Sequence, residues 1–222
     1  MPYANPSLPW IVVPVKPFHE TKTRLAPVLD TVQRADLTRR LLAQQLATLA
    51  PFRLLAHLVV ISRGTDVLHQ AAEAGFDVLV EARPHELNGA ANQARLAAAA
   101  AKAPALILLP VDLPWMSGSD VDALLAAPAD QITIATDRHQ RGTNGLRLPP
   151  ELFFRFQYGS DSLFYHREEA RRWGAPCQVL TRPGLQFDLD TVDDWEIYER
   201  WRLAAANNRN GNTPSTVLRN PR

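Results

Sequence analysis

The chain has one cysteine, Cys177, in 222 residues. That excludes an internal disulfide and a thiolate metal cluster within the chain, and it suits a reducing, cytoplasmic setting. No stretch approaches the roughly 20 apolar residues of a membrane-spanning helix, and the opening MPYANPSLPW has no basic region followed by an apolar run. Neither a signal peptide nor a membrane partner is expected. Charge of one sign is lacking too, since 24 Lys+Arg stand against 23 Asp+Glu for a formal net charge of +1. No overall field would steer the molecule onto nucleic acid, so any anion must be bound by a local cluster. The glycine-rich patterns GxxxxGK[ST] and GxGxxG are absent as well, which removes the basis for a P-loop or a dinucleotide fold.

What is present alternates. Short runs rich in Val, Ile and Leu, at 10–15, 54–62, 76–82, 105–114 and 131–137, read as strands covered on both faces. Between them lie helical segments at 31–49, with Asp30 as N-cap, 66–74, closed by Gly75, 90–102 and 119–126. Such alternation predicts a mostly parallel sheet with right-handed crossovers. The second half is less regular. It offers a strand at 144–148, a short proline-opened helix in PPELFFRF, a helix at 160–173, extended structure through PCQVLTRPGL and a last helix to about residue 203. Some antiparallel pairing at one sheet edge is expected. Residues 1–203 form one domain in this reading, and the polar tail 204–222 is expected to be disordered.

Candidate chemistry concentrates where strands end. Asp112, in LLPVDLPWMS, emerges at the carboxyl end of a strand, the usual ligand edge of an open α/β sheet; it can equally cap the turn before Pro114. In FDLDTVDDW, Asp188 and Asp190 stand two apart and share one side of an extended segment, whereas Asp193 and Asp194 fall in a first helical turn. Asp112, Asp188 and Asp190 together would offer three carboxylates to one hard cation such as Mg²⁺. After the first strand, VPVKPFHETKTRL gathers Lys16, Lys22 and Arg24 in a loop stiffened by Pro14 and Pro17, suited to a nucleoside triphosphate or merely solvated. Asn88, Gly89 and Asn92 open the Ala-rich helix, where Asn88 is either an N-cap or, with Asn92, a nucleoside contact. Thr143, Gly159, Ser162 and His166 place small donors and one imidazole near helix starts, an arrangement able to take phosphate or carboxylate as well as to cap and pack.

In order, VPVKPFHETKTRL, ELNGAANQA, LPVDLP, RGTNGL, YGSDSLFYH and FDLDT resemble the 2-phospho-L-lactate guanylyltransferase family of coenzyme F-420 biosynthesis, over about 10–198. The resemblance implies a three-layer α/β/α nucleotidyltransferase fold of the GT-A-like type. It implies transfer of a guanylyl group from GTP to a small phosphorylated three-carbon acid (2-phospho-L-lactate, phosphoenolpyruvate or 3-phosphoglycerate), with release of pyrophosphate. By matching position it puts metal-binding acids at Asp112, Asp188 and Asp190 and acceptor-binding residues at Thr143, Gly159 and Ser162. Nucleotide contacts are expected around Pro14, Val15, Lys16, Asn88, Gly89 and Asn92. Lys16, Lys22, Arg24, Asp112 and Asp190 would carry the reaction. One departure stands out, because the family's acceptor loop carries a Gly-Pro-Gly-Ser-like run and this chain has GSDS. Asp161 there would repel a doubly anionic acceptor or accept a hydroxyl from it.

Two rival functions fit the same pattern. A molybdopterin-cofactor guanylyl- or cytidylyltransferase would open with an LAGG-type loop, which VVPVKPF lacks. A silent nucleotide-binding module would bind GTP and release no pyrophosphate. Association is open to a homodimer, since Trp195, Tyr198 and Trp201 recur at helical spacing and would pack on the sheet or on a second subunit.

Overall fold

Alternating side chains of the first strand set the architecture. In the computed structural model, which describes residues 8–82 and 87–209, all of β1 (Trp10–Pro14) is buried. Ile11 and Val13 join one apolar cluster while Trp10 and Val12 join another. A strand covered on both faces lies in the middle of three layers. The first cluster is completed by Leu42, Leu46 and Leu49 of α1 (Thr31–Leu49), Val67 and Ala71 of α2 (Thr65–Glu73), and Val121 and Leu124 of α4 (Gly118–Leu125). The second takes Ala90, Ala91, Ala94 and Ala98 of α3 (Leu87–Ala100) with Leu163 and Ala170 of α5 (Ser162–Arg172). Alanines let α3 lie close against the sheet.

The remaining strands are β2 (His57–Ser62), β3 (Asp77–Val80), β4 (Leu106–Leu108), β5 (Ile132–Thr136), β6 (Thr143–Leu148) and β7 (Cys177–Leu180). They form one seven-stranded sheet in the order β3-β2-β1-β4-β6-β5-β7. Pairing is parallel except where β6 runs antiparallel to both β4 and β5. The chain goes outward from β1 through β2 to β3, then returns to β4 on the other side of β1. That reversal opens a crevice at the carboxyl ends of β1 and β4.

Several local expectations change. PPELFFRF is not a helix but a turn followed by chain without regular secondary structure, and alternate residues Phe154 and Phe156 are the ones drawn into the core while Phe153 is exposed. The second strand begins only at His57, residues Ala50–Leu54 forming a 3-10 turn. PCQVLTRPGL is a strand to Leu180 and then the single turn α6 (Pro183–Gln186). The last helix, α7 (Val192–Arg209), runs past residue 203, so the start of the expected tail is helical and residues 210–222 lie outside the described part. Trp195 and Tyr198 pack not on the sheet but on a third cluster made by Leu25, Leu29, Leu37, Leu41, Phe187 and Leu189. Among the described residues no helix is long and apolar enough to cross a membrane.

Candidate active site

A cleft of about 470 Å³ occupies the crevice between β1 and β4, within the range of small-molecule sites. Its walls are the ends of four parallel strands: Pro14 at the end of β1 with Val15 and Lys16 beyond it, Ile61 from β2, Glu81 after β3, and Pro110 to Asp112 after β4. Buried Gln45 of α1 donates to Pro110 O at 2.9 Å and so fixes the chain that presents Asp112.

Cations and carboxylates meet at the β4 side. Lys22, nearly buried, donates from Nζ to Asp112 Oδ2 at 2.6 Å. Its backbone is left-handed, with φ 53°, a conformation that costs a non-glycine residue about 1 kcal/mol or more and is held here by its surroundings. Arg24 Nη1 reaches Asp190 Oδ2 at 2.7 Å, largely in solvent. Lys16 is exposed on the same wall. The loop read as a candidate phosphate clamp therefore does line the cleft.

The acidic segment divides into two functions. Asp194 accepts from the backbone N–H groups of Asp190 and Thr191, at 3.1 and 2.7 Å, and from Thr191 Oγ1 at 2.7 Å. Burial pushes its carboxyl up, but these bonds and Arg138 outweigh that and hold it below the usual carboxylate value. Arg138 donates to its other oxygen at 2.6 Å. Asp194 is thus the clamp that shapes residues 190–194. Asp188 is of the other kind. Burial first, then the charge of Asp112, push its carboxyl up to about 6, although Asn144 Nδ2 donates to it at 3.3 Å. Leu189 N also donates to Asp112 O at 3.0 Å, so the two acid-bearing segments run side by side.

Among the described residues no three His, Cys, Asp or Glu side chains gather as a ready metal cage. What exists is a mutually repelling Asp112–Asp188 pair with Asp190 drawn toward Arg24. Hard oxygen donors that repel one another fit Mg²⁺, which typically takes one or two carboxylates and fills its other positions with water and phosphate oxygens.

The candidate acceptor residues are layered. Gly159 lines the cleft at φ +123°, a conformation open to glycine alone in practice. Thr143, Ser162 and His166 lie behind it, all buried. His166 Nε2 accepts from the Gln157 backbone N–H at 3.0 Å, which puts its proton on Nδ1 and makes Nδ1 the donor to Thr143 Oγ1, also at 3.0 Å. Burial lowers the His166 pKa to about 4, so the ring stays neutral as this bonding requires. From the opposite side Asn88 Oδ1 accepts from Tyr158 N at 2.6 Å. Residues 157–159 are therefore suspended between α3 and α5.

Asn88 lines the cleft but is the second residue of α3 rather than its cap. Asn92 turns to Arg95 of its own helix, accepting from Nη2 at 3.2 Å, and neither it nor Gly89 is among the lining residues. Val15 N is already committed to Ile61 O at 3.0 Å. Asp161 is paired with Arg141 at 2.7 Å, which offsets the negative charge that GSDS introduces. Glu20, Thr21, Thr38 and Glu81 line the cleft without having been singled out in the sequence. Of these only Glu81 carried a usable signal, an acid at the end of an apolar strand, as at Asp112.

The sequence profile of the family described as "Guanylyl transferase CofC like" matches residues 10–198. The chain belongs to this family. Every cleft residue named above falls inside the matched span. Among relatives in sequence, the phosphoenolpyruvate guanylyltransferase of Sphaerobacter thermophilus is 35% identical, over 83% of this chain and 89% of its own. The 2-phospho-L-lactate guanylyltransferase of Methanothermobacter thermautotrophicus is 32% identical, over 82% and 80%. The 3-phospho-D-glycerate guanylyltransferase of Phenylobacterium zucineum is 37% identical, over 78% and 81%. Among solved structures, a Desulfovibrio desulfuricans G20 protein assigned as a nucleotide-diphospho-sugar transferase superposes with a TM-score of 0.72 at 21% identity, covering 91% of each chain. That likeness establishes the fold, which the guanylyl transferase CofC-like chain shares with nucleotidyltransferases.

Proposed function

We propose that the protein is a guanylyltransferase that moves GMP from GTP to the phosphate of a small phosphorylated three-carbon acid and releases pyrophosphate, in coenzyme F-420 biosynthesis. The observation that carries this reading is the cleft itself, where Lys16, Lys22 and Arg24 face Asp112 and Asp190 at the carboxyl ends of β1 and β4. The three relatives above support the class of acceptor, since each is named for a different phospho-acid. All three acids join one phosphate to one carboxylate. Both GTP and the acceptor would arrive by diffusion in the cytoplasm.

The chemistry asks little of a general base. An acceptor phosphate oxygen is already anionic near neutral pH, and it attacks the α-phosphorus of GTP while the bond to the bridging oxygen of the β-phosphate breaks. Lys22 and Arg24 are positioned to take up charge on the triphosphate and the departing pyrophosphate, with Lys16 beside them. Gly159 and the amides of its loop, held by Asn88 and His166, orient the acceptor. Asp112 and Asp188, joined by Asp190 if it were released from Arg24, would hold a divalent cation, which would supply further neutralisation of phosphate charge.

Label transfer tests the reading. With GTP labelled at the α-phosphate, the label is expected in an acceptor-dependent product, and with GTP labelled at the γ-phosphate it is expected in pyrophosphate. Transfer of the γ-label to the acceptor would mean phosphoryl transfer instead and would end the proposal.

A further inference from the structure

The hairpin of β5 and β6 breaks its register at one residue. Ala135 pairs with Gly145 and Thr136 with Thr143, so Asn144 is the extra residue opposite the Ala135–Thr136 step, a β-bulge. Bulges recur beside active sites because they re-aim a side chain out of the regular alternation. Asn144 is buried, and its Nδ2 donates to Leu185 O at 2.9 Å and to Asp188 Oδ1 at 3.3 Å. Both hydrogens of the amide are thereby committed.

The two bonds act on different things. The bond to Leu185 holds the turn α6 against the hairpin, a task shared by the Arg138 backbone N–H, which donates to Gln186 O at 2.8 Å. The bond to Asp188 acts on a side chain. The main chain at that point is tied to the β4 side, since Leu189 N donates to Asp112 O at 3.0 Å, but a backbone bond does not choose the rotamer of a neighbouring carboxylate. Asn144 does. A carboxylate that accepts one such bond keeps most of its lone-pair sites, so Asp188 is oriented without being used up. Thr143, the preceding residue, bonds His166 at 3.0 Å behind the acceptor loop. Adjacent residues of one bulge therefore reach the acceptor side of the site and its acidic side.

We propose that Asn144 is a positioning residue for the divalent cation, setting the Asp188 carboxylate in the orientation in which it joins Asp112. The inference rests on the guanylyltransferase reading for the role of the cation and adds to it the group that prepares the cation's site. Hydrogen-bond partners standing behind a metal ligand typically contribute about 10–100-fold in metal affinity. Asn144 acts through Asp188 and not on either substrate.

The test is Mn²⁺ binding, read from the EPR signal of the free ion, with and without the α,β-methylene analogue of GTP. It compares the unmodified protein with Asn144→Ala, Asn144→Ser and Asp188→Ala, each at a temperature where circular dichroism shows it folded. Serine keeps a polar group but is one bond too short to reach Asp188, and it stands in where alanine leaves too little folded protein. Both Asn144 variants are expected to lose about 10–100-fold in Mn²⁺ affinity. That loss should not exceed the loss in Asp188→Ala, because an effect carried by Asp188 cannot be larger than removal of its carboxylate. A merely structural role, that of holding Leu185, would lower the unfolding midpoint and leave the Mn²⁺ affinity of the folded protein unchanged. That outcome, a larger loss in Asn144→Ala than in Asp188→Ala, or no Mn²⁺ bound by the unmodified protein under either condition would overturn the proposal. Weakened Mn²⁺ binding in the Asn144 variants, with no acceptor-dependent pyrophosphate release by the unmodified protein, would retire the transferase reading and leave this one standing. Release by the unmodified protein, with Mn²⁺ affinity equal in all Asn144 variants, would do the reverse.

Discussion

Lys22 Nζ lies 2.6 Å from Asp112 Oδ2, across ninety positions of chain, and ties the loop after β1 to the loop after β4. The pair spans the crevice at which the strand order reverses. It brings a candidate phosphate-binding cation and a candidate metal ligand into one wall. Lys22→Met is expected to lower stability by about 1–3 kcal/mol, since Asp112 keeps partial access to water. Adding Asp112→Asn should return most of that stability and none of the activity, a non-additivity that chemical denaturation and turnover measured together would reveal.

Asp188 should show the opposite trade. Its charge is penalised by burial and by Asp112, so Asp188→Asn keeps the oxygen that Asn144 donates to and removes the penalty. We expect a gain of about 1–2 kcal/mol in denaturant midpoint stability at pH 7.5 together with loss of turnover. A destabilised Asp188→Asn would contradict the like-charge account.

Much of this arrangement is legible in residue order, and the reasons differ from place to place. Asp112 is conspicuous because it follows a strand whose apolar run has just ended, and Lys22 because it stands with Lys16 and Arg24 in the basic loop after β1. The division of FDLDTVDDW is legible too, since Asp194 N-terminal capping and Asp188 in extended chain follow from local spacing. Glu20 is not, and neither is its link to Glu81, because what joins them is Arg63, 43 positions from Glu20. Nor does the sequence reveal that Thr143 and His166 bond each other behind the cleft wall, 23 positions apart. Phe153 and Phe154 read as a helix because adjacent aromatics suit either period, and only the neighbouring core decides that alternate residues go inward.

The acceptor loop offers a local test. Asn88→Ala removes the acceptor for Tyr158 N and leaves a partly buried donor unpaired, at a cost of about 1–2 kcal/mol. Because Asn88 holds the loop rather than the reacting atoms, KM for the acceptor is expected to rise about 10-fold with a smaller change in kcat. An unchanged acceptor KM would show that residues 157–159 are placed by α5 alone.

Stability should also report the neutral state of His166. Its folded pKa, about 4, lies below the ordinary 6.5 because of burial, so the unfolded chain binds the extra proton. The contribution is complete above pH 6.5, falls as pH drops below that value and is exhausted below about 4. It amounts to about 3 kcal/mol at most. Denaturation at pH 7.5, 5.5 and 4.5 should show a smaller acid loss in His166→Gln than in the unmodified protein; equal losses would place the acid sensitivity elsewhere.

The central claim is tested most directly by pyrophosphate release from GTP and Mg²⁺, with phosphoenolpyruvate, 2-phospho-L-lactate and 3-phosphoglycerate supplied separately at equal concentration and the guanylylated product trapped as it forms. The account predicts release that depends on the acceptor, is strongest with one of the three acids, and is lost in Asp190→Asn without loss of folding. GTP binding with no pyrophosphate from any of the three, or full release by Asp190→Asn, would contradict it.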